Sequence, residues 1–114
     1  MKHEDIKTFA ARPAPQACKL MDFDKAQVHP GFLPNTFILI VSGDKPSTNI
    51  EITLRPLVYV KQPEYWGFEV IGCITGIGLP VVTPYTEAAD IGSNRGTKGI
   101  EVIGANKTLQ IAVP

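Results

Sequence analysis

The chain has no excess of charge of one sign. Its 114 residues include 11 Lys and Arg and 11 Asp and Glu, so the formal net charge at pH 7 is zero. The two signs are interspersed along the whole sequence, and no segment carries a block of like charges. Binding to nucleic acid or to an anionic membrane surface normally needs a concentrated positive field. We therefore predict that the protein binds neither nucleic acid nor membrane.

Long hydrophobic runs are missing as well. The longest uninterrupted apolar run, Phe37 to Val41, has five residues, whereas a membrane-spanning helix needs about 18 to 20. The first nine residues carry charge and contain no apolar stretch of the length found in signal peptides. On these grounds we expect a soluble, cytoplasmic protein.

Cysteine and histidine are scarce. Cys18 and Cys73 are far apart in the sequence and belong to no Cys-x-x-Cys pair, and His3 and His29 show no metal-ligand spacing. Without a secretion signal, we expect the two thiols to be buried and free rather than bonded to each other. A metal site would have to be assembled from scattered residues, so we predict no metal and no cofactor.

The glycine-containing segments do not form a catalytic or nucleotide-binding motif. Residues 72–78 contain a Gly-x-Gly sequence but lack the third glycine and the helix that a dinucleotide-binding loop needs. Residues 104–108 end like a phosphate-binding loop, yet the glycine is three positions from Lys107 and a strand pattern follows. Neither histidine is spaced to activate a Ser or Cys nucleophile. We predict no catalytic residues, and the sequence favours a non-enzymatic protein over an enzyme.

The abundant residues are β-branched and aliphatic. Ile and Val together number 21 against 7 Leu, and Gly and Pro contribute 10 each. Ile and Val favour strands, and frequent Pro is incompatible with long helices. We predict an all-β fold, either an antiparallel β-sandwich or a small partly open barrel of six or seven strands. The length indicates one domain, 1–114, with an N-terminal arm or helical turn over 1–15 and the β-core over 16–114.

Strand patterns alternate with turn signals along this core. The clearest is residues 50–55, where Ile50, Ile52 and Leu54 share one face and polar residues share the other. Pro56 then interrupts a pattern that resumes immediately, which is typical of an edge, a bulge or a crossing between sheets. Residues 76–86 are predicted to be an apolar connection and 87–97 a polar loop. The predicted strands cover 16–23, 36–42, 50–55, 57–60, 67–75, 98–103 and 108–113.

A short sequence occurs twice, 32 residues apart. GFEVIG at 67–72 and GIEVIG at 99–104 agree at five of six positions. If the residues that flank each glutamate face the core, Glu69 and Glu101 face outward, each accompanied by an isoleucine. Apolar residues on both faces of a strand indicate a sheet that is covered on both sides, in one interpretation by a second subunit. Two strands in similar positions of a sheet would produce the same repeat.

Aromatic residues are concentrated in one part of the chain. Tyr65 and Trp66 lie within a group that spans 59–68, Tyr85 follows in the predicted loop, and Phe32 stands between two prolines. Exposed aromatics on a β surface stack on sugars, bases or proline-rich peptides, whereas buried ones fill the core. The candidate ligand or partner surface consists of Phe32, Tyr65, Trp66, Glu69, Tyr85 and Glu101.

Two functions of different classes follow from these patterns. The first is a non-catalytic β-sandwich that acts through protein–protein contact, as a homo-oligomer or as a small accessory subunit. Its expected partner is a second copy of itself or another protein. The second is a domain that binds or transforms a small ligand, for example a carbohydrate, at a site around Tyr65, Trp66 and residues 76–85.

Overall fold

A computed structural model describes residues 17–114. This part of the chain contains eight β-strands and no helix, in two packed sheets, so the prediction of an all-β sandwich fold is confirmed. The predicted arm, residues 1–15, lies outside the described residues. Among the residues that are described, no helix is long and apolar enough to cross a membrane. The strands are β1 (Cys18–Leu20), β2 (Lys25–Pro30), β3 (Phe37–Lys45), β4 (Ile50–Pro56), β5 (Tyr65–Ile74), β6 (Thr83–Asp90), β7 (Gly99–Ile103) and β8 (Thr108–Ala112).

The first sheet is built around β5, the longest strand. β4 pairs with one edge of β5 along residues 68–74. On the other edge, β7 pairs with residues 65–69 and β1 with residues 71–73, so β7 and β1 lie end to end. β8 follows outside β7, and the second sheet has the order β2-β3-β6. The β5–β7 pairing is parallel and the other pairings within residues 17–114 are antiparallel.

The core lies between the two sheets, and β4 shows how the sequence creates it. Ile50, Ile52 and Leu54 are buried, and the three residues that alternate with them are exposed, as the period-two pattern predicts. Buried residues of other strands and of the segments next to them complete the same cluster: Met21, Phe23, Leu39, Val41, Phe68, Val70, Tyr85, Ile91, Ile100, Val102 and Val113.

Several strand predictions are wrong. Residues 57–60 form a loop rather than a strand, while 25–30 form the unpredicted strand β2. Residues 83–90 form β6, although an apolar connection and a polar loop were expected there. β6 pairs with β3 along its whole length and buries only Tyr85. Its main-chain pairing, rather than an apolar side-chain pattern, makes it a strand. With β2 and β6 included, the described residues contain eight strands.

The two cysteines are bonded to each other, contrary to the expectation of free buried thiols. Cys18 and Cys73 stand directly opposite in the β1–β5 pairing and form a disulfide. Cys18 is exposed and Cys73 is half-buried. The two residues are 55 positions apart and become neighbours only when β1 pairs with the end of β5. The spacing of the two cysteines in the sequence does not predict that pairing.

Candidate functional site

Two groups of loops lie at opposite ends of the sandwich. Residues 31–36, 57–64 and 91–98 connect strands at one end, which we call the first end. Residues 46–49 and 75–82 connect strands at the other, which we call the second end. β5 runs from the first end to the second, and its ten residues span about 30 Å at the usual rise of a strand.

The structure separates the residues of the predicted ligand site. Tyr65 and Trp66 lie at the start of β5, at the first end, whereas residues 76–82 lie at the second. Tyr85 is in β6 rather than in a loop, and only 7% of its surface is exposed. Phe32 is at the first end and is fully exposed. These residues therefore do not line one common pocket.

Trp66 is a half-buried residue packed against the core. Its Nε1 donates a hydrogen bond to the Leu57 carbonyl at 2.8 Å, and its ring meets that of Tyr59 edge to face, with centroids 5.0 Å apart. The Tyr59 hydroxyl in turn accepts a hydrogen bond from the Gly67 amide at 3.1 Å. The aromatic group thus closes the first end of the core and holds the 57–64 loop against β5.

Tyr85 is also a structural residue. Its hydroxyl donates a hydrogen bond to the Asp22 carbonyl at 2.6 Å. Burial, followed by the negative charges of Asp24, Asp22 and Asp44, raises the pKa of Tyr85 to about 12. The phenol is therefore protonated at neutral pH and acts as a hydrogen-bond donor to the main chain.

Glu69 and Glu101 lie on the outer face of the first sheet, on the adjacent strands β5 and β7. The register of these strands offsets the two residues by two positions. Each side chain has its own polar neighbour: Glu69 lies 3.8 Å from the Arg55 guanidinium, and Glu101 accepts a hydrogen bond from Gln110 at 3.4 Å. Both are half-buried, and they do not form a carboxylate pair.

Arg95 ties the loops of the first end together, a role that the sequence analysis did not assign. Its guanidinium donates to the Pro114 carbonyl at 2.9 Å and to the Asn35 carbonyl at 3.5 Å, and it lies over the Phe37 ring. Its own carbonyl accepts a hydrogen bond from the Gln62 side chain at 2.9 Å. A planar cation with several donors suits such a junction. Both Nη atoms are engaged within the protein.

An exposed apolar surface covers the second end. We call residues 75–82 the apolar loop; Ile77, Leu79 and Val82 are 102%, 65% and 69% exposed, and Val81 is about half exposed. The segment contains no charged residue. Contiguous exposed apolar surface is typical of interaction sites. The sequence indicated an apolar connection here, but periodicity could not show that its side chains face water.

Hydrogen bonds to its main chain hold the apolar loop in place. The Leu79 amide donates to Thr48 Oγ1 at 2.8 Å, and the Thr48 amide donates to the Leu79 carbonyl at 3.0 Å. Asn49 Nδ2 donates to the Gly76 carbonyl at 2.8 Å. Gly76 has a φ of +65°, which glycine adopts without steric cost. The exposed side chains are therefore presented on a positioned backbone.

An apolar groove adjoins this loop. It has a volume of about 360 Å³, and we call it the Met21 groove. A Cβ atom on Gly72 would lie 2.5 Å from the Met21 side chain and 2.9 Å from that of Ile50, so the glycine makes room for both. Ile74, which is 48% exposed, lies at the rim beside the disulfide. Lys19 is the charged residue in the lining.

Comparisons with known proteins provide no further guide to the site. Within residues 17–114, no group of three or more His, Cys, Asp or Glu side chains could hold a metal ion. No protein-family model, curated protein or solved structure matches this chain. The function is therefore inferred from the geometry and from the exposed apolar surfaces.

Proposed function

We propose that the protein acts through protein–protein contact, as a homo-oligomer, and that the apolar loop is part of its contact surface. The observation that carries this proposal is the exposure of Ile77, Leu79 and Val82 on a hydrogen-bonded backbone. Burial of one fully exposed aliphatic side chain contributes about 1.5–3 kcal/mol. Several such side chains together offer a substantial driving force for association.

Two further properties of the second end favour contact. Its backbone is already held by Thr48 and Asn49, so little conformational entropy is lost when a partner binds. The loop also carries no charge, and therefore no ion has to be removed from water without a partner. These properties suit an apolar protein surface better than a polar ligand.

We do not propose a small-ligand site at the aromatic group. The Trp66 indole N–H is bonded to Leu57, and its half-buried ring packs against the core and meets Tyr59 edge to face. A stacking platform needs a free aromatic face. The small-ligand hypothesis also includes residues 76–85. Of these, 76–82 belong to the apolar loop, which lies at the far end of β5 from Trp66.

We propose that the protein works where the Cys18–Cys73 disulfide persists. Disulfides are typical of oxidising compartments, whereas cytosolic thiols are kept reduced, so the bond argues against the cytoplasmic location expected from the sequence. Alkylation of the protein from its native cells, followed by mass spectrometry, tests this. We expect both cysteines to resist alkylation until a reductant is added. Rapid labelling without reductant would instead show free thiols and indicate a reducing compartment.

Light scattering coupled to gel filtration tests the contact function. At micromolar concentration the wild-type chain is expected to exceed its monomer mass of 12.4 kDa. Ile77→Asp and Leu79→Asp should restore the monomer mass without changing the melting temperature, because both side chains are exposed. Val60→Asp is the matched control, since Val60 is 105% exposed at the first end. A strictly monomeric wild-type protein would contradict the proposal.

A further inference from the structure

We infer that copies of this chain associate head to tail, with the Phe32 loop of one copy docked in the Met21 groove of the next. The Phe32 loop comprises residues 31–36 at the first end. This inference rests on the proposed function, that the protein is a homo-oligomer, and adds which surface of a second copy meets the second end.

The Phe32 loop is a protruding apolar tip. Phe32 is 101% exposed and Leu33 is 62% exposed. The base of the loop is closed by hydrogen bonds from the Gly31 amide to the Thr36 carbonyl at 2.7 Å and from the Thr36 amide to the Leu33 carbonyl at 3.3 Å. Pro34 follows Leu33 and restricts the backbone further. The tip is thus preformed, and in the described chain nothing covers it.

The Met21 groove has the size and chemistry to receive this tip. Its volume of about 360 Å³ lies near the lower end of ligand-sized pockets, with room for one aromatic and one aliphatic side chain. The Met21 thioether is flexible and adapts to an aromatic neighbour. Ile74 at the rim offers an aliphatic contact surface at the mouth of the groove.

Charge favours this pairing of surfaces. Neither the Phe32 loop nor the apolar loop contains a charged residue, so neither loop brings a charge into the contact. The one ammonium group in the groove lining, that of Lys19, is on an exposed residue and can stay in water while its aliphatic stem packs against a partner. A charged partner surface would have to lose part of its hydration against the apolar side chains here.

The position of the two surfaces determines the symmetry of the assembly. The tip is at the first end and the groove at the second, so a chain cannot fill its own groove. A contact between two different surfaces is heterologous and produces either a closed ring or an open chain of copies. A two-fold contact between two second ends would bury the apolar loop and leave Phe32 in water. The head-to-tail contact covers Phe32 and fills the groove.

The available area indicates a weak association. The exposed aliphatic side chains of the apolar loop amount to roughly 300 Å². Phe32 offers about 150–250 Å² more. The smallest specific interfaces, of about 1,200 Å² in total, bury roughly 700 Å² of apolar surface. We therefore expect a dissociation constant in the micromolar range.

Complementary variants test the head-to-tail arrangement. Phe32→Glu removes the tip and leaves the groove intact, whereas Ile74→Glu charges the rim of the groove and leaves the tip intact. Each variant alone should be monomeric by light scattering. An equimolar mixture should form a dimer and nothing larger, because each variant retains the surface that the other has lost. Val60→Glu, at an equally exposed position of the first end, should associate like the wild-type protein.

The outcomes separate this inference from the proposed function. If Phe32→Glu associates like the wild type, or if the mixture stays monomeric, the head-to-tail contact is overturned while association through the second end stands. If the wild-type protein is itself a monomer, both are overturned. Melting curves verify that each variant is folded. Should Ile74→Glu not fold, Ala17→Trp fills the same groove from an exposed position and takes its place in the mixture.

Discussion

The polar atoms of Trp66 and Tyr85 each donate a hydrogen bond to a backbone carbonyl, on Leu57 and Asp22 respectively. A large aromatic residue whose polar atom is bonded to the main chain can be buried without leaving an unpaired donor. The type and spacing of these aromatics were visible in the sequence. Their burial was not, because it depends on Leu57 and Asp22 carbonyls that only the folded chain brings into reach.

Trp66→Ala should destabilise the fold. The substitution removes the packing against the core, the edge-to-face contact with Tyr59 and the hydrogen bond to Leu57. We expect the free energy of unfolding in urea to fall by about 3 kcal/mol. Val58→Ala, at a position that is 94% exposed in the same loop region, should change it by less than about 0.5 kcal/mol. A loss below about 1 kcal/mol for Trp66→Ala would instead indicate an exposed ring.

Tyr85→Phe should make the protein less sensitive to alkaline pH. Burial, and then the neighbouring carboxylates, raises the pKa of Tyr85 from 10.0 to about 12. Between these values the unfolded chain has lost the phenolic proton and the folded chain has kept it. The free energy of unfolding therefore falls as pH rises through this window, by up to about 2–3 kcal/mol at and above the folded pKa.

Urea unfolding at about pH 8 and about pH 11 measures this effect. At the lower pH the Phe variant should be less stable by about 1 kcal/mol, because it lacks the hydrogen bond to the Asp22 carbonyl. Its stability should then fall less than that of the wild type on going to the higher pH. Parallel declines in the two proteins would show that Tyr85 does not cause the alkaline loss.

At the scale of elements, side-chain periodicity reveals strands that have one buried face and misses strands defined by pairing. β4 was predictable because its inward residues alternate with exposed ones. β7 and β8 were predictable as strands joined by a short turn, and their pairing is antiparallel. β6 contains Pro84 and buries only Tyr85, so its side chains carry little strand signal. Its pairing with β3 joins residues more than 35 positions apart, a relationship that no local pattern encodes.

The Cys18–Cys73 disulfide should be the main attachment of β1. This strand has three residues and pairs only with the end of β5 among the described strands. The bond closes a loop of 55 positions, for which the chain-entropy model gives about 4 kcal/mol of stabilisation. We expect a double Cys18→Ala, Cys73→Ala variant to melt at a lower temperature. Amide hydrogen exchange at residues 18–21 should also be faster in this variant than in the wild-type protein.

A reductant provides the control for that prediction. Treatment of the wild-type protein with dithiothreitol should lower its melting temperature towards that of the double alanine variant, and dithiothreitol should leave the variant itself unchanged. Because β1 lines the Met21 groove, reduction should also weaken self-association. Equal melting temperatures for the oxidised and reduced wild-type protein would contradict the stabilising role of the bond.

At the scale of the whole molecule, both ends of the sandwich carry exposed apolar side chains. Phe32 marks the first end and the apolar loop marks the second, while the exposed residues of β4, at a side, are polar. Neutrality and abundant apolar residues were readable from composition. The separation of the two apolar surfaces by the length of β5 was not, because it follows from strand order and direction.

Self-association should therefore persist when the salt concentration rises. Screening weakens contacts between exposed charges, and the Debye length falls from about 14 Å to about 4 Å between roughly 0.05 M and 0.5 M salt. The Phe32 loop and the apolar loop have no charge to screen. Sedimentation across this range should give an unchanged or slightly lower dissociation constant, and sulfate should lower it further because it strengthens apolar burial. A tenfold weaker association at high salt would show that ion pairs, rather than these two apolar surfaces, hold the copies together.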